Sequence, residues 1–307
     1  MVLRSSGGFT LKTASLLGLS NFSVTEPKEL KNMNPQVEAA RQGGVRMITV
    51  ENQRLRVAIR PGDGSRTPLL MMNGVGVNLE LLQPFVDELD PVREVIRFDV
   101  PGIGGSPMPA IPYRFPSLAY LVARMLDHLG YTQVDVLGVS WGGALAQQFA
   151  LQHSPRCRRL ILVSTATGSI MVPGRPDIIA RMATPQRYTE PSYLKEADPD
   201  VSSEGLQSEF EVVRGAAPAL RSGGSAGYMY QVMAAMGWTS LPWLWLIRQP
   251  TLILAGNKDP VVPPINAKIM KKLIPRSKLY IFNGGHMGLL THTKELAYAV
   301  EQFLDNR

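Results

Sequence analysis

Ser140 stands in Gly138-Val139-Ser140-Trp141-Gly142, a G-x-S-x-G spacing. The bare pattern arises by chance in glycine-rich chains, so its setting carries the weight. The run Val134-Asp135-Val136-Leu137 reads as a strand directly before it, and Gly143–Phe149 opens a helical pattern directly after it. A serine on such a turn is held in a strained backbone conformation between small neighbours. Its hydroxyl projects at the positive end of a helix, where a developing anion is favoured. That arrangement suits nucleophilic attack on a carbonyl.

A serine nucleophile needs a base, and the chain has four histidines. His128 lies inside an amphipathic helical pattern, His153 ends one, and His292 follows Thr291 in a capping context. His286 differs, because Asn283-Gly284-Gly285-His286-Met287-Gly288 directly follows the last strand-like run. A loop histidine at the carboxyl end of a strand can reach the serine; the plainer alternative is a turn histidine. The third member is a carboxylate that fixes the imidazole tautomer. Asp259 follows the run Thr251–Ala255 and completes the chain order Ser, Asp, His, although an Asp before Pro260 also suits a simple turn. For the oxyanion, the expected donors are the backbone N–H of Trp141 and that of Val75, in the loop Asn73-Gly74-Val75-Gly76. Asp99, in Asp99-Val100-Pro101-Gly102-Ile103-Gly104-Gly105-Ser106, precedes Ser140 and reads as a structural acid in a shaped loop. No zinc pattern, phosphate loop or dinucleotide fingerprint occurs, and the chemistry calls for no metal and no cofactor.

These residues need a scaffold that aims strand ends at one place. The runs Leu69–Met72, Val95–Phe98, Val134–Leu137, Leu160–Val163, Thr251–Leu254 and Leu279–Phe282 are short and largely apolar, as in strands covered on both faces. Helical patterns over Leu79–Leu89, Pro116–Leu129, Gly142–His153, Ile265–Leu273 and His292–Leu304 alternate with them. The expectation is an α/β-hydrolase fold, with a mainly parallel central sheet flanked by helices. Two earlier runs, Val45–Val50 and Arg54–Arg60, add strands; the second sets Leu55, Val57 and Ile59 on one face. The alternation breaks over 167–246, which reads as an inserted helical cap. Residues 46–166 and 247–307 form the core, and residues 1–45 are an N-terminal extension with a short helical pattern near Val37–Arg41.

Apolar residues are 45% of the chain, enough for a sizeable core, and charged residues are 19%. The net charge of +7 is spread rather than clustered, and no nucleic-acid motif accompanies it, so a nucleic-acid partner is not expected. The lone Cys157 excludes an intrachain disulfide and fits a reducing compartment. No apolar run is long enough to span a membrane. The mildly apolar stretch within Thr13–Val24 lacks a cleavage site, so a cytoplasmic protein is expected, with secretion left open. Nothing in the sequence fixes an oligomeric state.

Larger stretches are recognisable. Asn73-Gly74-Val75-Gly76, Phe98-Asp99-Val100-Pro101-Gly102, the span Gly138–Ala150 and Gly285-His286 together resemble the intracellular medium-chain-length polyhydroxyalkanoate depolymerases. Tyr113-Arg114-Phe115-Pro116, Arg221-Ser222-Gly223-Gly224 and Gly237-Trp238-Thr239-Ser240 resemble the same family. The likeness covers Pro68 to Leu304; residues 1–45 precede it, and Leu194–Glu211 does not match. It implies serine esterase chemistry by Ser140, Asp259 and His286 on an apolar polyester, with a polymer granule surface as partner. A carboxylesterase, lipase or lactonase acting on soluble esters is the alternative within enzymes. A non-catalytic binder of an apolar ligand or granule surface is the alternative outside them. Met171, Met233, Trp238 and Trp243 are candidate substrate contacts in the cap, because flexible and aromatic apolar groups suit irregular acyl chains; packing of the cap itself is the plainer role for each.

Overall fold

Period-two alternation along the strands decides how this chain folds. In the computed structural model, which describes residues 43–177, 179 and 225–305, eight strands among the described residues form one sheet. They are β1 (Gly44–Val50), β2 (Gln53–Arg60), β3 (Leu69–Met72), β4 (Val95–Phe98), β5 (Val134–Val139), β6 (Cys157–Val163), β7 (Thr251–Gly256) and β8 (Ser277–Phe282), ordered β1-β2-β4-β3-β5-β6-β7-β8. β1 and β2 form a hairpin, with Val50 opposite Gln53. Its two turn residues, Glu51 and Asn52, both have positive φ, as a type I′ turn demands. β2 pairs antiparallel with β4, and every other pairing from β4 to β8 is parallel. The expected fold class is the one observed.

Successive strand residues go to opposite faces and build two cores. Leu70, Met72, Ile96, Phe98, Val134, Val136, Leu160 and Leu162 join one cluster, with α2 (Phe115–His128), α3 (Trp141–Gln152) and α5 (Pro264–Leu273). Leu69, Met71, Val95, Leu137, Ile161 and Val163 join the other, with α1 (Gln83–Glu88), α6 (Gly288–Thr291) and α7 (Thr293–Asp305). α4 (Ser225–Ala235) lies in the segment between β6 and β7.

The helical pattern expected over Leu79–Leu89 is helical only from Gln83 to Glu88. Leu79 has its backbone groups engaged elsewhere: its N–H donates to Asp99 Oδ1 at 2.7 Å and its carbonyl accepts from Arg97 at 2.9 Å. Pro84 in the first turn then fixes where the helix can begin. The pattern expected from His292 begins at Thr293, after the separate turn of α6.

The described parts of the segment between β6 and β7 are anchored at both stems. Gly168 bridges Thr239, Ser169 N–H donates to the Trp238 carbonyl at 2.8 Å, and Ser240 N–H donates to the Thr167 carbonyl at 2.8 Å. Ser240 Oγ and Trp238 Nε1 donate to Gln147 and Gln148 of α3 at 2.6 and 2.9 Å. Farther along, Asn266 of α5 both accepts from and donates to the Val172 backbone. The Arg221–Gly224 motif, Leu194–Glu211 and the helical pattern near Val37–Arg41 lie outside the described residues.

Candidate active site

Ser140 sits between β5 and α3 with φ 52° and ψ −117°. Positive φ is uncommon for a residue with a Cβ and costs on the order of 1–3 kcal/mol. The tightness around it explains the strain. A Cβ on Gly138 would meet Gly142 O and the Ala146 side chain, and one on Gly142 would meet the carbonyls of Met72 and Asn73 at the end of β3. Only glycines let helix and strand approach so closely. The Ser140 backbone is fixed on both sides, its N–H donating to the Val163 carbonyl at 2.9 Å and its carbonyl accepting from Thr165 Oγ1 at 2.7 Å.

His286 follows β8 in the expected loop. Its Nε2 is 3.1 Å from Ser140 Oγ and its Nδ1 is 2.8 Å from Asp259 Oδ2. Both His286 and Asp259 are buried. Asp259 Oδ1 accepts from Val261 and Val262 N–H, each at 2.9 Å. The turn role and the histidine-partner role considered for Asp259 thus coexist, one on each oxygen. With Asp259 accepting from Nδ1–H, the Nε2 lone pair faces Ser140, the tautomer a general base requires.

The loop after β3 lies beside this row. A Cβ on Gly74 would sit 3.7 Å from Ser140 Cβ. Val75 is half-buried against the core, and Trp141 is buried with its backbone N–H at the first position of α3, where the helix offers no carbonyl. Asp99 is engaged elsewhere. It accepts from the N–H groups of Leu79 and Gly105 and pairs with Arg56 at 3.2 Å, holding its loop closed. His153 is the C-cap of α3, and the His292 ring lies tilted against Phe282, centroids 5.4 Å apart, and against Gly284 of the His286 loop. Burial raises the Cys157 thiol above its ordinary range, which disfavours the reactive thiolate. Among the described residues, no group of three or more His, Cys, Asp or Glu side chains is placed to hold a metal ion.

Trp238 lies between Phe115 at 4.8 Å and Trp243 at 5.8 Å, with its indole N–H on Gln148. These contacts fasten the end of the segment between β6 and β7 to α2 and α3. Met171 and Met233 are half-buried. One residue at the site was not foreseen from sequence: Gln231 of α4, fully buried, whose Oε1 accepts from Gly76 N–H at 2.6 Å. Its signal was present, a single amide in the otherwise apolar stretch Gly227–Met236.

Residues 67–293 match the family model of the alpha/beta hydrolase fold. Over 259 residues, 84% of this chain and 92% of the relative, the sequence is 49% identical to a poly(3-hydroxyalkanoate) depolymerase of Ectopseudomonas oleovorans. It is 26% identical over 252 residues to a 3-oxoadipate enol-lactonase 2 of Acinetobacter baylyi, covering 78% of this chain and 89% of that one. The solved structure of an enol-lactonase from Burkholderia xenovorans LB400 superposes with a TM-score of 0.73 at 21% identity, over 85% of this chain and all of that one, a likeness of fold. The chain belongs to the α/β-hydrolase fold family and, within it, to the family of poly(3-hydroxyalkanoate) depolymerases.

Proposed function

We propose that this protein is a serine esterase that cleaves the ester bonds of a poly(3-hydroxyalkanoate) with medium-length apolar side chains. The observation that carries the reading is the continuous row from Ser140 Oγ through His286 to Asp259, at 3.1 and 2.8 Å, on a strained serine. Ser140 attacks the ester carbonyl while His286 Nε2 takes its proton. Asp259 holds the imidazole and stabilises its cationic form. The N–H groups of Val75 and Trp141 receive the tetrahedral oxyanion. His286 then protonates the departing alcohol. Water deprotonated by the same nitrogen attacks the acyl-enzyme, releasing the acid and restoring Ser140.

The 49% identical depolymerase supports the polyester as substrate. Met171, Met233, Trp238 and Trp243, all half-buried, are the proposed acyl contacts. The exposed apolar side chains Ile170, Met236 and Trp245 in and beside the cap suit work at a polymer granule, and the cytoplasm is the proposed compartment. Among the described residues no helix is long and apolar enough to cross a membrane.

The test is a panel of p-nitrophenyl esters of increasing chain length beside a suspension of the polyester. The expected result is a preference for longer acyl chains together with clearing of the suspension. Preference for acetate without clearing would point to a soluble-ester or lactone substrate, which the enol-lactonase relative supports. Ser140→Ala is expected to lower turnover by about 10,000-fold or more while the chain still folds. A wild-type protein that takes no fluorophosphonate label at Ser140 would make it a binder rather than an enzyme.

A further inference from the structure

Gln231 is buried completely, yet it comes from α4 in the segment between β6 and β7 rather than from the sheet and helices that carry the serine, histidine and aspartate. Its side-chain oxygen accepts from Gly76 N–H at 2.6 Å, and its backbone carbonyl accepts from the Trp141 indole N–H at 2.8 Å. One cap residue therefore holds both walls of the proposed oxyanion hole: the loop that carries Val75 and the residue that follows the nucleophile. We infer that Gln231 is a positioning residue that sets the geometry of the oxyanion hole and makes it depend on the docked position of α4, an assignment that rests on the acyl-transfer reading above.

Gly76 has φ +70°, so its flanking peptides have no side chain to restrict them and need an outside partner to fix their direction. The Gln231 oxygen supplies that partner. Because Gly76 N–H is engaged there, it is turned away from any second task, which supports Val75 N–H as the loop donor. The orientation of the Gln231 amide is set by chemistry: rotated by half a turn, its NH2 would face the Gly76 N–H, donor against donor. In the orientation that remains, Nε2 is buried without a hydrogen-bond partner among the described residues. Packing alone would favour an apolar side chain at this position in an apolar helix, since an unmatched buried donor is costly. The bond from Gly76 N–H to the amide oxygen is what this side chain supplies in return for that cost.

The experiment compares wild type, Gln231→Met and Gln231→Glu on a short soluble p-nitrophenyl ester. Rates are expressed per site titrated with a fluorophosphonate, so that partial folding does not enter. A trifluoromethyl ketone serves as the probe of oxyanion binding. Gln231→Met is expected to lower kcat by roughly 10- to 100-fold with KM changed less than about threefold, and to weaken ketone inhibition by the same factor as kcat/KM. Gln231→Glu restores an acceptor for Gly76 N–H and is expected to recover part of the loss. A side chain with only a packing role would lower the melting temperature without this parallel. Gln231→Met with kcat and ketone affinity within about twofold of wild type overturns the assignment. Ser140→Ala, assayed alongside, separates the failures: if it stays active, the acyl-transfer reading falls, whereas if it is inactive and Gln231→Met is normal, only the role of Gln231 falls.

Discussion

At the residue scale, Ser140 combines a nucleophile with a backbone conformation that its side chain disfavours. The two contributions can be separated by replacing it in two ways. Ser140→Ala and Ser140→Gly both remove the hydroxyl and its contact with His286, so both are expected to be inactive. They differ in the backbone. At an ordinary site, glycine in place of alanine destabilises by roughly 0.5–1 kcal/mol through the entropy of the unfolded chain. At positive φ, the Cβ of alanine costs roughly 1–2 kcal/mol that glycine avoids. The second effect is the larger, so Ser140→Gly is expected to be more stable than Ser140→Ala by about 1 kcal/mol in urea unfolding. The reverse order would mean that the turn is relaxed in solution. The meeting of the Ser140, Asp259 and His286 side chains was legible in the sequence because each lies just past a strand and their chain order is restrictive. Gln231 was not picked out, because its task is set by a contact with Gly76 that lies 155 residues away along the chain.

At the scale of elements, the turn from β5 into α3 shows why local propensity is a poor guide next to the site. Gly142 lies within the first turn of α3, where an alanine would ordinarily stabilise by roughly 0.8–1 kcal/mol. Here a Cβ would meet the carbonyl oxygens of Met72 and Asn73, backbone atoms that cannot move aside without shifting β3 and the oxyanion loop after it. Gly142→Ala is therefore expected to destabilise by about 1–3 kcal/mol, as overpacking does, and to lower kcat as well. Thermal unfolding and a short-ester assay check both halves, and a stabilised, fully active variant would contradict the close approach. The strands of the parallel part of the sheet were legible from six apolar runs, five of them buried on both faces. β8 is an edge strand with Tyr280 and Ile281 exposed, and the order of the strands is set by long-range pairing that the runs do not record. The length of α1 was not, because the capture of Leu79 by Asp99 and Arg97 depends on tertiary contacts that no helical period records.

At the scale of the whole molecule, the chemistry and a buried ion network lie at opposite ends of the sheet. The serine, aspartate and histidine follow the carboxyl ends of β5, β7 and β8, whereas Asp135 lies near the amino end of β5 and Arg93 just before β4. The Arg93 side chain is fully buried. It donates to Glu301 and Asp305 of α7 at 2.7 Å each and approaches Asp135 to 3.9 Å, so it ties the C-terminal helix to the sheet. Removing one partner of a buried ion network typically costs about 3–5 kcal/mol, because the charges left behind are poorly solvated. Here Glu301 and Asp305 keep Arg66, and Asp135 keeps Arg158, so the low end of that range applies. Arg93→Leu is thus expected to lose about 3 kcal/mol in denaturant unfolding. Its kcat/KM on a soluble ester, measured at a temperature where it remains folded, should stay within about twofold of wild type, because no residue of the site touches the network. A large fall in kcat/KM at full folding would show that the docking of α7 reaches the loop of His286, the segment that joins β8 to that helix.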